Sequence, residues 1–396
     1  MNIATGAVNE LADAIAADAV DILTRLVAFD TTSSKSNLLL LDYVEDYLRA
    51  HGVPSERVAG ADPLKANLLA TLGGTGDGGV VLSGHTDVVP VTDQPWTVPP
   101  FALTRQGDRL VGRGTSDMKA FLALAMAAVP RLAGGTLKRP VHLAFSYDEE
   151  IGCLGVPGLI ERLLERCRPA IVIVGEPTSM TIVNSHKGVH LYEVVVTGLE
   201  AHSSLAHEGI SANMVAIELM HVLLRIAEDE ERDHRDARFD PAWSTLTVGL
   251  IQGGTANNIL ARECRFSFDL RTLPDRDADE VLAPFWAAVE RERARLAGKA
   301  AGTGIAIRRI AFVPPLHQEQ SGLAEQLCTT LSGSNSPGGA VSFGAEAGHF
   351  QEAGLSTVIC GPGSIAQAHR PDEYIEFSQI DAGARFMERL IAFVRE

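Results

Sequence analysis

Ser83-Gly84-His85-Thr86-Asp87-Val88-Val89-Pro90 is the stretch from which the rest of the chain can be read. The apolar run Gly79-Val80-Val81-Leu82-Ser83 reads as a strand; it ends on a glycine and then presents His85 and Asp87. In extended backbone, residues two apart share a face, so both side chains can point into one cleft. A carboxylate beside a histidine takes the N–H of the ring nitrogen that does not bind metal, which sets tautomer and ring orientation. A His-x-Asp pair alone is common. Its weight here comes from further candidate ligands downstream, most of them at the end of an apolar strand.

Upstream, residues 11–28 and 38–51 carry apolar positions at helical spacing; the first stretch ends in Asp30-Thr31-Thr32-Ser33-Ser34 and the second at Gly52. Residues 67–72 and 80–82 read as strands joined by the glycine-rich stretch 73–79. That joint contains G-x-G-x-x-G at Gly74, Gly76 and Gly79, but it precedes a strand rather than a helix. It is therefore read as a hairpin loop, not a dinucleotide site.

Downstream, Gly112-Arg113-Gly114-Thr115-Ser116-Asp117 is a turn feeding an apolar helix over 119–132. A strand over 141–145 ends at Asp148-Glu149-Glu150, a helix spans 156–167, and a strand over 170–174 ends at Gly175-Glu176-Pro177. This rhythm is the α/β signature of a mostly parallel sheet, in which ligands sit beyond the carboxyl ends of the strands. His85, Glu149, Glu150 and Glu176 fall just after such ends, and Asp117 sits in the turn before a helix.

After about residue 185 the rhythm changes. Strands over 189–197, 245–251, 262–270 and 305–311 alternate with helices over 212–226 and 277–296, and 228–240 reads as a charged linker. The order β-α-β-β-α-β predicts a four-stranded, ferredoxin-like α+β unit inserted into the main domain. From residue 314 the main domain resumes, with a helix over 323–331, a strand over 356–360 and a Gly/Pro loop leading to His369. A chain of 396 residues exceeds the size at which one core keeps growing. The expected division is 1–186 with 312–396 as catalytic domain, and 187–311 as the insert.

Composition narrows the function classes. Hydrophobic residues at 46% and charged residues at 21% fit a globular chain. Thirty-four Lys and Arg against 50 Asp and Glu give a net charge of −16 without a basic patch, which argues against nucleic acid or anionic membrane partners. Cys153, Cys167, Cys264, Cys328 and Cys360 are scattered and odd in number, the pattern of free thiols in a reducing compartment. No apolar run approaches the roughly 18 residues of a membrane span, and the N-terminus lacks a basic region before an apolar stretch. The expectation is a cytoplasmic protein. No G-x-S-x-G elbow, Walker loop or H-E-x-x-H is present.

Taken in order, Gly84-His85-Thr86-Asp87-Val88-Val89-Pro90, Gly112-Arg113-Gly114-x-x-Asp117-Met118-Lys119, Asp148-Glu149-Glu150-x-Gly152 and Gly175-Glu176-Pro177-Thr178 resemble the di-zinc aminoacylase/carboxypeptidase family of metallohydrolases, the M20 peptidases. Ser185-His186-Lys187-Gly188, Ala201-His202-Ser203-Ser204, Glu346-Ala347-Gly348 and Gly361-Pro362-Gly363-Ser364-Ile365-x-Gln367-Ala368-His369-x-Pro371-Asp372-Glu373 extend the match through about residue 377. Each block is weak alone; the ordered set is specific.

The resemblance implies a metal-dependent amide hydrolase that removes the acetyl group from N2-acetyl-L-ornithine in arginine biosynthesis. A desuccinylase or carboxypeptidase on the same scaffold is the alternative, and an inactive dimeric binding homologue the non-enzymatic one. It further implies two divalent ions, zinc or alternatively cobalt, with His85 and Glu176 on one, Glu150 and His369 on the other, and Asp117 bridging. Asp87 would support His85, and Glu149 would be the general acid/base. His202 would reach the partner's site in a homodimer formed through the insert, which would thus serve as lid and dimerisation domain. A cis peptide is implied between Asp117 and Met118. Asn257 and Arg271 are candidates for the α-carboxylate of a small N-acyl amino acid, and Glu346 for its cationic side chain. His142, His190 and His349 are read as structural.

Overall fold

The computed structural model describes residues 4–74, 76–334 and 336–396. The elements in chain order begin with α1 (Ala4–Val27), α2 (Leu38–Ala50), β1 (Ser55–Ala59), β2 (Ala66–Leu72), β3 (Val80–His85), β4 (Thr104–Gln106) and β5 (Arg109–Val111). They continue with α3 (Ala120–Ala133), β6 (Val141–Ser146), α4 (Val156–Leu164), β7 (Ile171–Pro177), β8 (Val183–His186) and β9 (Gly188–Thr197). Then come α5 (Ala212–Asp233), β10 (Thr245–Gly253), β11 (Glu263–Thr272), α6 (Ala278–Ala297) and β12 (Gly304–Val313). The chain closes with α7 (Leu323–Ser332), β13 (Gly339–Val341), α8 (Ala347–Glu352), β14 (Ser356–Gly361), β15 (Tyr374–Glu376) and α9 (Phe377–Arg395). Two compact units result. The first comprises residues up to Ser185 with Gln318–Gly339 and Ala345–Glu396; the second comprises His186–His317 and Ala340–Gly344.

The first unit is built on an eight-stranded sheet of order β1-β2-β6-β3-β7-β14-β8-β13. Its centre is parallel: β6 with β3, β3 with β7, and β7 with β14. β3, β6 and β7 are buried along their whole length, as expected of parallel strands covered on both faces and read as near-continuous apolar runs. α3 is apolar all round from Ala120 to Val129 and entirely buried there, which suits a helix enclosed by α1, α9 and the sheet. The parallel centre puts the carboxyl ends of β3, β6, β7 and β14 along one edge. Gly175 in β7 permits the approach of α3, since a Cβ there would lie 1.9 Å from the ring of Phe121.

One sequence expectation fails here. Residues 73–79 do not close a hairpin, because β6 lies between β2 and β3, antiparallel to the first and parallel to the second. Pairing is decided by a strand some 60 residues away in sequence, which a turn reading cannot detect.

The second unit is an antiparallel sheet of order β10-β11-β9-β12 with α5 and α6. Alternate residues of β9 are buried, and Val194, Phe266 and Phe268 share a core with Leu219, Leu223 and Phe285 of the helices. The element order β-α-β-β-α-β and this strand order make it ferredoxin-like. Ser211 caps α5 by accepting the Met214 N–H, and Asp277 caps α6 by accepting from Asp279 and Glu280. The segment 228–240 is not a linker throughout. α5 continues through Asp233 because its charges sit at i, i+3 spacing on exposed turns, with Arg225–Glu228 and Arg232–Asp229 pairs.

Among the described residues no helix is long and apolar enough to cross a membrane. All five cysteines are buried and free.

Candidate metal centre and active site

His85, the last residue of β3, is fully buried, with Nε2 3.0 Å from Asp117 Oδ1 and 3.7 Å from Glu176 Oε1. The other oxygen of Asp117 turns the opposite way: His369 Nε2 lies 3.1 Å from Asp117 Oδ2 and 2.9 Å from Glu150 Oε2. Asp117 thus offers one oxygen to a His85–Glu176 side and one to a His369–Glu150 side, the arrangement of a bridging carboxylate. Its backbone is non-helical inside an otherwise helical turn, and the Asp117–Met118 peptide is cis, as the resemblance implies. Gly84 makes room for that turn, because a Cβ there would meet Met118 Cε at 2.5 Å.

The donor set fits divalent cations. Glu150 Oε1 and Glu176 Oε1 are buried without a hydrogen-bond donor, which is costly unless a cation takes their lone pairs. Ligand atoms of His85, Asp117 and Glu150, and of His85, Glu149 and Glu176, lie within 4.8 Å of one another. Without cations the cluster is electrostatically crowded. Burial pushes the carboxyl groups of Glu149 and Glu176 well above the usual range, and neighbouring acids push them further. Burial and Asp117 lift Glu150 to about 7. Hydrogen bonds to Asp117 and Glu150 raise His369 to about 10, while burial opposes but does not prevent a strong rise at His85, held by Asp117 and Asp87. The site therefore holds protons where it is built to hold positive charge. Ionised together, Asp117, Glu149, Glu150 and Glu176 would balance the charge of two divalent ions.

Asp87 stands beside His85 and also holds the backbone of the loop beyond it. His85 Nδ1 donates to the backbone carbonyl of Asp87 at 2.9 Å, and the carboxylate stands off at 3.6 Å. The Asp87 carboxylate instead accepts the N–H of Glu149 at 3.1 Å, the N–H of Glu150 at 3.3 Å and the Ser33 hydroxyl at 2.7 Å. It carries the strand-end loop that aims the two glutamates. Asp148, just before them, is held by the buried Lys65 ammonium, which also donates to the Ser33 carbonyl. Glu149 accepts a weak hydrogen bond from the buried Cys153 thiol at 3.4 Å.

Glu346 is a correction. It is fully buried, its oxygens accept from the hydroxyls of Ser146 and Ser83, and burial lifts its pKa to about 7. A carboxyl group committed to two serines under β3 and β6 is not presented to a cationic substrate side chain.

His202, Asn257 and Arg271 belong to the second unit. His202 is exposed; Nδ1 accepts the Ser204 N–H at 3.2 Å and lies 2.8 Å from the Ser204 hydroxyl, so the proton sits on Nε2. Asn257 is exposed in the loop after β10, and Arg271 Nε donates to Asp269 at 3.0 Å. His142 and His190 are buried and hold pKa values of about 4 through burial. Sequence reading assigned no role to Ser33, Lys65, Arg113 or Glu373, although Arg113 and Glu373 stand inside the motif blocks.

A pair of sites that share the Asp117 carboxylate at the parallel strand ends, in a chain that also carries a ferredoxin-like unit, defines a metal-dependent hydrolase. The chain belongs to peptidase family M20/M25/M40, whose model matches residues 81–392. It is 36% identical over 383 residues, 93% of this chain and 96% of the relative, to the acetylornithine deacetylase of Myxococcus xanthus. Its fold matches an M20 metallo-carboxypeptidase of Sulfolobus solfataricus with a TM-score of 0.74 at 18% identity, covering 94% of this chain and 98% of that one. It also matches a dinuclear metal-binding M20 peptidase of Bacillus subtilis with a TM-score of 0.65 at 16% identity, over 97% and 99% of the two chains. The chain is a hydrolase of amide bonds in the dinuclear metallopeptidase family.

Proposed function

We propose that the chain removes the acetyl group from N2-acetyl-L-ornithine, releasing L-ornithine and acetate for arginine biosynthesis. The observation that carries this reading is the 36% identity to an acetylornithine deacetylase over 93% of the chain, supported by the convergence of His85, Asp117, Glu150, Glu176 and His369. His85 and Glu176 hold one ion, Glu150 and His369 the other, and Asp117 both. Mixed imidazole and carboxylate donors suit zinc, with cobalt an acceptable substitute.

When bound, the ions lower the pKa of a coordinated water towards ~7 and polarise the amide carbonyl. Glu149, outside the ligand set in this reading, takes the proton of the attacking water and returns it to the departing amine nitrogen. Asp87 keeps Glu149 and Glu150 divergent by holding both their backbone N–H groups, so one faces the ion and the other the substrate. His202, with its proton on Nε2, supplies a donor to the developing oxyanion of the partner's site. Asn257 and Arg271 hold the substrate carboxylate.

The homodimer forms through the second unit as lid and dimerisation domain. β10 is an edge strand with Leu250 and Ile251 exposed, and Met214, Ile217 and Leu224 line the exposed side of α5. A second copy pairing edge to edge about a two-fold axis would cover this isologous apolar surface. The buried free thiols favour a cytoplasmic setting.

The test is amine release across N-acetyl, N-formyl and N-succinyl amino acids. The highest kcat/KM is expected on acetylornithine; preference for a succinylated or dipeptide substrate would overturn the assignment.

A further inference from the structure

Glu373 lies four residues past His369 and is 1% exposed, yet it is outside the ligand set. Its Oε1 accepts the N–H of Ser116 at 2.8 Å and of Asp117 at 3.1 Å. Its Oε2 accepts the N–H of Gly114 at 3.0 Å and Arg113 Nη1 at 2.7 Å. The Gly112 N–H donates to the Glu373 carbonyl at 2.8 Å. One side chain therefore gathers most of the backbone donors of the turn that carries Asp117.

The same residues reach the loop of His369 by a second route. Arg113, also 1% exposed, donates through Nη2 to Gln94 Oε1 at 2.6 Å, and Gln94 Nε2 donates to the His369 carbonyl at 3.0 Å. Ser116 Oγ accepts the Ser364 N–H at 3.1 Å, tying the turn to the beginning of that loop. Neither loop is otherwise rigid by type. The Asp117 turn departs from helical geometry, and His369 sits at φ +62°, a conformation L residues adopt only when the surroundings demand it.

We propose that Glu373 is a positioning residue whose buried carboxylate clamps the Asp117 turn to the His369 loop, setting the spacing of two ligands that share one ion. The inference rests on the dinuclear reading of the site. A carboxylate suits this role because the three amides and the guanidinium present only donors, and a carboxylate presents only acceptors. An amide in its place keeps the volume but turns a donor towards other donors. Loss of an outer partner of a metal ligand typically costs ~10–100-fold in metal affinity.

The test is Glu373→Gln in the full chain, with zinc affinity measured by chelator competition on metal-free protein, alongside urea unfolding of that same metal-free protein. Zinc binding at the weaker of two sites is expected to fall at least ~10-fold. Binding within twofold of wild type would overturn the clamp, whatever happens to the urea midpoint. A wild-type chain that binds no zinc would instead remove the dinuclear reading on which the clamp rests. Should Glu373→Gln fail to fold, Gln94→Ala at the half-buried end of the network replaces it. A severalfold loss of zinc affinity there supports the clamp, and unchanged affinity overturns it.

Discussion

Replacing Glu149 by Gln separates two roles that its position permits. A Glu149 oxygen lies within 4.8 Å of ligand atoms of both His85 and Glu176, so the residue is close enough to be a third ligand on that side. Its carboxyl group also accepts from the Cys153 thiol and its backbone is fixed by Asp87; in the proposed reading it stands beside the His85–Glu176 pair as the proton carrier. Gln keeps the shape and the acceptor oxygen but cannot take a proton at neutral pH. As a general base its loss is expected to lower kcat by ~10²–10⁴, equivalent to about 2.7–5.5 kcal/mol of transition-state stabilisation. Because His85, Asp117, Glu150, Glu176 and His369 remain, zinc affinity should change by less than the ~10–100-fold that even an outer-shell deletion costs. KM should move little, since Glu149 acts on the proton in transfer and holds neither the substrate's carboxylate nor its side chain. The assays are steady-state turnover on acetylornithine and zinc titration of the metal-free variant by chelator competition. A variant that has lost one zinc together with its activity would refute the base assignment and make Glu149 a ligand.

Four further outcomes are expected. Exhaustive chelation should abolish turnover and zinc or cobalt restore it, followed by metal analysis alongside rate; full activity at near-zero metal content would sink the dinuclear site. Lys65→Met leaves the Asp148 carboxylate buried without its cation and should cost ~3–5 kcal/mol in urea unfolding, with part of the loss recovered in Lys65→Met/Asp148→Asn. The stability contributed by His142 and His190 should fall with acid from about pH 6.5 towards 4, because both titrate at about 4 when folded but near 6.5 when unfolded, whereas Glu150 and Glu346, lifted to about 7, act in the opposite sense, so the histidine part is read from variants. At these two histidines the unfolded chain binds the extra protons, each contributes about 1.4 kcal/mol of acid destabilisation per pH unit, and His142→Asn should remove about that amount from the measured dependence relative to wild type. Mixing inactive Glu149→Ala with inactive His202→Ala protein should restore activity through heterodimers; none after verified subunit exchange would rule out His202 acting across a dimer.

What could be read from the sequence divides along a physical line. His85, Asp117, Glu150, Glu176 and His369 are legible as candidate ligands because each follows an apolar run or a glycine turn, and the fold brings the five together. The β-α-β-β-α-β order of the insert is legible for the same reason. Residues whose roles depend on long-range neighbours are not. The position of β6 between β2 and β3 is decided by which apolar strand packs where, and three apolar strands in a row leave that choice open. Glu346 reads as a loop acid free to meet a cation, but Ser83 and Ser146, 263 and 200 residues away, take its oxygens. Asp87 is visible as a partner of His85, whereas its contacts to the backbone of Glu149 and Glu150 depend on β3 and β6 ending side by side. Glu373 is the sharpest case, because its partners are mainly backbone amides, which every residue type supplies and no composition reveals. The candidate ligands are thus marked by residue type at strand ends and glycine turns, whereas the buried acids proposed to set their geometry have peptide groups for partners. On the proposed clamp, a relative that kept all five candidate ligands would still bind metal poorly once such an acid were lost, so Asp87 and Glu373 belong to the motif to be read.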